Sequence, residues 1–463
     1  MNDFADWLSP ILVKELRQGM RSRLFVALFI LTQAVMILVT MALLSSDDGD
    51  VPAALPWVLI GGLLLGIPLT GLNAVQGEIK GNTLELLLLT RLSPWRVIAG
   101  KWLALVLQGM LIVSSVLPFF MLRYFVGGFN LVQEVVALGW LLVGLMVGTA
   151  VMVGLSGHLG GAISRAAFLF ISFGVLTSII PFLLAGMAPG SLPPMGECWV
   201  AVLFFVPLVI LVCFEMGLSP ISPVGVNRST RQRLLVLALL LVGSGFQLYS
   251  SSPPYFFLAV LCAAPLIFSA LLEPFYPVPS LYRPLPFPAR LGKLERLAAW
   301  FLLPGGGAGF QFSLLLMLAM GAGFVLWRRA SFDFQQAYSL LSLIGGIYFP
   351  LAILRWIYRQ REMRDKGPWV IYGGIQVAGF ILALFLMSWF SKGTTVAPLW
   401  FSFLPTTGFF LHLWMPESFS PLGGLHLVIA GGLALLILGF LFFQSVRLWR
   451  QAMKLRNTMP PAP

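Results

Sequence analysis

Apolar residues in this chain gather into long unbroken runs that do not alternate in polarity as the wall of a membrane β-barrel must. The runs lie near residues 24–44, 55–76, 102–122, 133–156, 167–187, 199–218, 234–251, 255–272, 312–328, 337–354, 369–390 and 425–446. A helix of about 20 apolar residues covers a hydrocarbon core of about 30 Å, so each run predicts a membrane-crossing helix. The first run follows Asp3 and Asp6 and exceeds the apolar core of about 7–15 residues in a signal peptide, so it reads as an uncleaved span. The apolar stretch from Trp400 to Trp414 is broken by Pro405 and reads as a re-entrant or interfacial piece. The predicted fold is all-α: a polytopic helical membrane protein of about 12 spans behind an N-terminal amphipathic helix.

Composition agrees with that pattern. Of 463 residues, 59% are hydrophobic and 10% charged, against roughly a quarter charged in soluble domains. Charge then orients the spans, because cytoplasmic loops are enriched in Lys and Arg. Of the 29 Lys and Arg, only Arg123, Arg328, Arg329 and Lys392 fall on the side opposite the termini, which predicts that both termini are cytoplasmic. Alternatively, the aromatic-rich stretch Trp327 to Phe334 sits at the cytoplasmic interface, which would shift one span in the second half. The net charge of +12 is therefore a topology signal and not a nucleic-acid footprint. A basic cytoplasmic rim also favours anionic lipid headgroups.

Three segments follow. Residues 1–23 form a cytoplasmic amphipathic helix, 24–218 a six-span domain with a cytoplasmic loop at 77–101, and 219–463 a further membrane domain of about six spans. Ser9 and Pro10 supply an N-cap and a first-turn proline. Beyond them Leu12, Val13, Leu16 and Met20 share one helical arc, with Lys14, Arg17, Gln18 and Arg21 opposite. This pattern predicts a helix lying in the headgroup plane.

The loop from Gln76 to Lys101 reads QGEIKGNTLELLLLTRLSPWRVIAGK. A water-side connector has little need of so much leucine, so an apolar partner must cover it. Asn82 or Thr83 can cap a short helix, Glu85 suits its N-terminal dipole, and Leu84, Leu87 and Leu88 line one face with Leu86 and Leu89 toward another. Ser93 and Pro94 repeat the cap-plus-proline start and launch a helix through Trp95 and Lys101 into the third span.

On these residues the chain resembles the permeases of ABC type 2 exporters. Their first cytoplasmic loop reads approximately E-R-E-x-G-T-L-E-L-L-L-x-T-P-L-S, with G-K ahead of the third span. The match runs through Glu78, Thr83, Leu84, Glu85, Leu86, Leu87, Leu88, Thr90, Leu92, Ser93, Gly100 and Lys101. Departures are Lys80 for a second acid, Asn82 for glycine with Gly81 one place early, and Arg91 for a frequent proline. The opening PILVKELRQ, Pro10 to Gln18, looks like the elbow helix of these permeases. The second half carries no such motif.

The resemblance implies a cytoplasmic cassette ATPase docked at Glu78, Thr83, Leu84, Leu86, Leu87, Leu89, Thr90, Leu92 and Ser93, and a homodimer or heterodimer of permeases in a bacterial plasma (inner) membrane. Both termini would be cytoplasmic and the lipid bilayer the remaining partner. No G-x-x-x-x-G-K-[ST] loop occurs, and Gly292-Lys293 is followed by Leu294, so this chain is not expected to hydrolyse ATP itself. ATP and Mg would belong to the partner chain, and no cofactor is expected on this one.

Further candidates are sparse. Glu215 and Arg165 are candidate gating residues, and Gln108 and Asn73 could line a path or serve as polar glue between helices. Gly62 with Gly66, and Gly144 with Gly148, form small-residue faces for helix packing. His158, His412 and His426 are scattered, and Cys198, Cys213 and Cys262 lack metal or redox spacing, so no metal site is expected. The alternative function is a secondary transporter of twelve spans needing no ATPase. It calls for repeated halves with broken, charged midplane helices, and the Gln76–Lys101 motif has no twin in residues 234–463. A membrane-embedded enzyme or a structural anchor is the third class, and it lacks a cluster of acids or metal ligands.

Overall fold

The computed structural model describes residues 10–45, 66–81, 93–126, 131–157, 195–219, 221–222, 227–249, 255–271, 273, 300–328, 334–357, 367–390, 407–408 and 423–458. Among them the chain is helical, with no strand. Helix α1 (Pro10–Met20) leads through a tight turn into α2 (Arg23–Ser45). The Ser22 hydroxyl caps α2 by accepting from the Phe25 N–H at 3.2 Å. The second segment comprises α3 (Gly66–Thr70), a 3-10 turn (Gly71–Asn73) and α4 (Ala74–Lys80). There follow α5 (Pro94–Val126), α6 (Leu131–Ser156), α7 (Met195–Leu218), α8 (Ser229–Tyr249) and α9 (Tyr255–Leu271). The last four are α10 (Gly306–Arg328), α11 (Phe334–Ile357), α12 (Gly367–Phe390) and α13 (Gly423–Thr458).

Among the described residues, four helical stretches are long and apolar enough to cross a membrane: Arg23–Ala42, Pro94–Leu122, Leu138–Ser156 and Gly424–Gln451. Shorter apolar helices cover Leu203–Leu218, Gly306–Ala319, Leu341–Ile357 and Ile371–Leu386. This is the composition of a helical membrane protein. The predicted segment 167–187, most of 55–76 and most of the Trp400 to Trp414 stretch lie outside the described residues.

Local chemistry accounts for the boundaries. Helix α5 starts at the Ser93–Pro94 signal, where the Ser93 carbonyl accepts from the Arg96 and Val97 N–H groups at 2.9 and 3.4 Å. The second segment was expected to end near residue 76 and instead winds on to Lys80. Its 3-10 turn begins at Gly71, where a Cβ would lie 3.2 Å from both Leu105 Cδ1 and Met152 Cβ. The tighter winding thus falls where the backbone is pressed between α5 and α6.

The helices fall into two compact units, Met1–Pro223 with Leu235–Ala263, and Val224–Leu234 with Ala264–Pro463. In the first unit, Phe25, Met36, Ile67, Ile112, Val116, Leu138 and Leu145 form one core. A second core joins Val75, Ile98, Val153, Ile210, Cys213 and Phe214. Phe214 receives the rings of Trp95 and Trp102 edge-on, at centroid distances of 5.1 and 5.3 Å, and each such pair contributes about 0.5–1.5 kcal/mol beyond its buried area. Cys213 is buried and Cys262 packs against this core, both as free thiols.

In the second unit the core is Leu271, Phe310, Ile344, Tyr348, Leu351, Tyr372, Ile437 and Leu441. The start of α10 is fastened by polar groups. Arg233 Nη1 donates to the carbonyls of Phe301, at 2.8 Å, and of Leu303, while Nη2 donates to Glu273 Oε2 at 2.7 Å. The same carboxylate oxygen accepts from the Gly305 N–H at 2.6 Å. Gly305 has φ 123°, a left-handed conformation that favours glycine. Arg355 Nη2 donates to the Gly306 carbonyl at 2.6 Å and its guanidinium lies over the Phe310 ring. The Ser445 hydroxyl donates to the Gly307 carbonyl at 2.8 Å.

Of the glycines expected to serve packing, Gly66 lies under Leu28, whose Cδ1 would be 2.7 Å from an added Cβ. Gly148 makes ordinary contact with Pro68, and Gly144 opens onto space. Gly62 lies outside the described residues.

Candidate functional site

The root of the 77–101 loop is formed by the end of α4 and the beginning of α5, and α1 is seated against it. Helix α1 runs alongside α5 in the same direction, since its start meets Gly100 and its end meets Gln108. A Cβ on Gly100 would lie 3.1 Å from Ile11 Cγ2, and one on Gly19 would lie 2.0 Å from Gln108 Nε2. The seat is therefore made by glycine on opposite partners at the two ends.

The side of α1 that meets α5 is the row Ile11, Glu15 and Gly19 together with Leu12, at helical spacing. Ile11 and Leu12 are buried, whereas Met20 of the predicted apolar arc is exposed. Lys14, Arg17, Gln18 and Arg21 are exposed, so the polar face remains outward.

Lys101 lies at the centre of this junction. Its Nζ donates to Glu15 Oε1 at 2.7 Å and to Glu78 Oε1 at 3.0 Å. The lysine side chain is 5% exposed and the two glutamates are 22% and 13% exposed. A lysine serving only as a topology anchor extends its ammonium into water. This one is withdrawn from water and paired with carboxylates from two other elements, as a buried charge must be if its burial is not to cost several kcal/mol.

The end of α7 and the end of α6 close on the same region. Ile98 Cδ1 would lie 3.0 Å from a Cβ on Gly217, and the Trp102 indole N–H donates to the Met146 carbonyl at 3.0 Å. The Val75 N–H donates to the Ser156 hydroxyl at 3.3 Å. Glu215 is buried near this end of α7, 1% exposed.

The structure thus brings Glu78 to Lys101 and places Ser93 at the exposed start of α5. Thr83, Leu84, Leu86, Leu87, Leu89, Thr90 and Leu92 lie outside the described residues, as does Arg165. Gln108 is 5% exposed and lies beneath Gly19, packed between helices, while Asn73 is exposed in the 3-10 turn. Sequence reasoning missed Glu15. Its signal was that it is the lone acid of an otherwise basic helix, PILVKELRQGM. No group of three His, Cys, Asp or Glu able to hold a metal occurs among the described residues.

Comparison with protein-family models, with curated proteins and with solved structures found no match to this chain.

Proposed function

We propose that the chain is the membrane-spanning permease subunit of an ABC exporter, driven by a separate cytoplasmic ATPase that docks on the 77–101 loop. ATP and Mg are bound by that partner, two permeases and two ATPases form the working unit, and the assembly works in a bacterial inner membrane with the permease termini in the cytoplasm. The observation that carries the reading is the leucine-rich loop, flanked by Glu78 and the Gly100–Lys101 pair. Its root supports the reading physically. Glu78 closes one side of the loop, Lys101 the other, and an ion pair of 3.0 Å ties the two. A short amphipathic element held at such a root can pass motion of a soluble partner to the second and third spans, shifting the bundle between states of different substrate affinity.

The test is a search for a cassette ATPase gene beside this one, followed by co-purification of its product with this chain. Leu86→Asp and Leu89→Asp are expected to leave membrane insertion intact and abolish co-purification. Undiminished capture by both variants would sink the docking role of the loop. Absence of any ATPase partner for the unmutated chain would sink the permease reading itself.

A further inference from the structure

The Lys101 ammonium holds two arms that are separable. One reaches Glu78 at the end of α4, the other Glu15 in α1, and the lysine sits one residue past the glycine on which α1 is seated. Besides that ion pair, α1 is fixed to α5 by Ile11 and Leu12 against Gly100 and by Gly19 against Gln108. The rest of its surface carries exposed Lys14, Arg17, Gln18 and Arg21 beside half-buried Val13 and Leu16 and exposed Met20. A displacement of α4 against α5 reaches α1 through the buried cation that binds both Glu78 and Glu15.

We infer that Lys101 is a positioning residue that yokes α1 to the root of the 77–101 loop, so that a load taken by the loop turns α1 together with α4 and α5. The inference rests on the reading of that loop as the docking element, and it deepens that reading by naming α1 as the part that follows the partner. A merely structural Lys101 would hold the junction together at rest and transmit nothing. The distinction can be measured, because Glu15→Gln opens only the arm to α1 and leaves Lys101 paired with Glu78.

The experiment uses the full chain in nanodiscs of phosphatidylethanolamine and phosphatidylglycerol, in a Cys198→Ala, Cys213→Ala, Cys262→Ala background. Nitroxides at Arg17→Cys on α1 and Leu203→Cys on α7 report their separation by double electron–electron resonance. Both positions are exposed. The load is a Fab raised against a peptide of residues 81–93, which stands in for the ATPase.

With Glu15 intact, Fab binding is expected to shift the distance distribution. In Glu15→Gln the shift falls below half, and in Glu15→Asp, which keeps the charge, it is retained. Glu78→Gln, which opens the other arm, also suppresses it. The resting distance should be the same in all four, which shows that each has folded. An undiminished shift in Glu15→Gln overturns the inference, and so does a Fab that leaves the intact chain unmoved. Should Glu15→Gln change the resting distance, the same comparison is made on Glu78→Gln alone, where an undiminished shift is equally fatal. Because the Fab supplies the load, failure to find an ATPase would defeat the permease reading without altering these outcomes.

Discussion

Gly154 on α6 lies against the backbone of Cys213 on α7, so that a Cβ at residue 154 would stand 2.4 Å from the Cys213 carbonyl oxygen. The obstacle is main chain and cannot swing aside as a side-chain tip would. Where lipid removes most of the hydrophobic drive between helices, such close approach is what lets them associate.

Gly154→Ala should therefore force the two helices apart and cost about 1–3 kcal/mol, the range for overpacking a fitted core. Gly144→Ala on the same helix is the control, since an added Cβ there meets nothing within 4 Å. It should be neutral or gain up to about 1 kcal/mol from helix propensity. Thermal unfolding of the two variants in detergent, followed by size-exclusion chromatography, gives the comparison. Equal behaviour would refute this account of the α6–α7 contact.

Arg233 and Glu273 make a second test. The arginine side chain is 1% exposed and the glutamate 11%, and together they bind four backbone groups at the entrance to α10, the Phe301, Leu303 and Gly305 carbonyls and the Gly305 N–H. Arg233→Met removes the cation and leaves Glu273 and the Phe301 and Leu303 carbonyls without it, so a loss of about 3–5 kcal/mol is expected. Glu273→Gln keeps an oxygen that can accept from the Gly305 N–H and should cost less. A melting-temperature series in which Glu273→Gln falls further than Arg233→Met would contradict this order.

Topology supplies the third. Single cysteines at Lys14 and Arg96, both exposed, should react with a membrane-impermeant maleimide in inverted vesicles and not in intact spheroplasts. Lys392→Cys should react in the opposite pair. Labelling of Arg96→Cys from outside would remove the cytoplasmic loop on which the functional proposal stands.

A fourth prediction concerns Tyr348, whose hydroxyl is 2.9 Å from Ser313 Oγ in the core of the second unit. Ser313 also donates to the Phe310 carbonyl at 2.8 Å, so Tyr348→Phe leaves it satisfied. The cost should be about 1 kcal/mol, near that of one net hydrogen bond. A loss several times larger in thermal unfolding would show that the phenol does more than pair with Ser313.

The elements of this fold were legible wherever a local rule governs them. Ser93 and Pro94 announce the start of α5, and apolar runs mark the long helices. Burial of individual charges was not legible. Arg231 and Arg233 read alike in the sequence, as two anchors of a basic loop, yet Arg231 is exposed and Arg233 is almost wholly buried. The difference is set by how α8 is rotated against its neighbours, which no local pattern encodes. The same limit hid Glu15. Its role depends on a lysine 86 positions away, so the motif residues Glu78 and Lys101 were visible while the third member was not.

That sequence separation has a consequence for biogenesis. At about 5–20 residues per second, the ribosome delivers Lys101 some 4–17 s after Glu15. Throughout that interval the seat of α1 on α5 does not yet exist, and Glu15 waits for the ammonium that will hold it. Lys101 also follows Glu78 in the chain, so the strut arrives only after both of the carboxylates it joins.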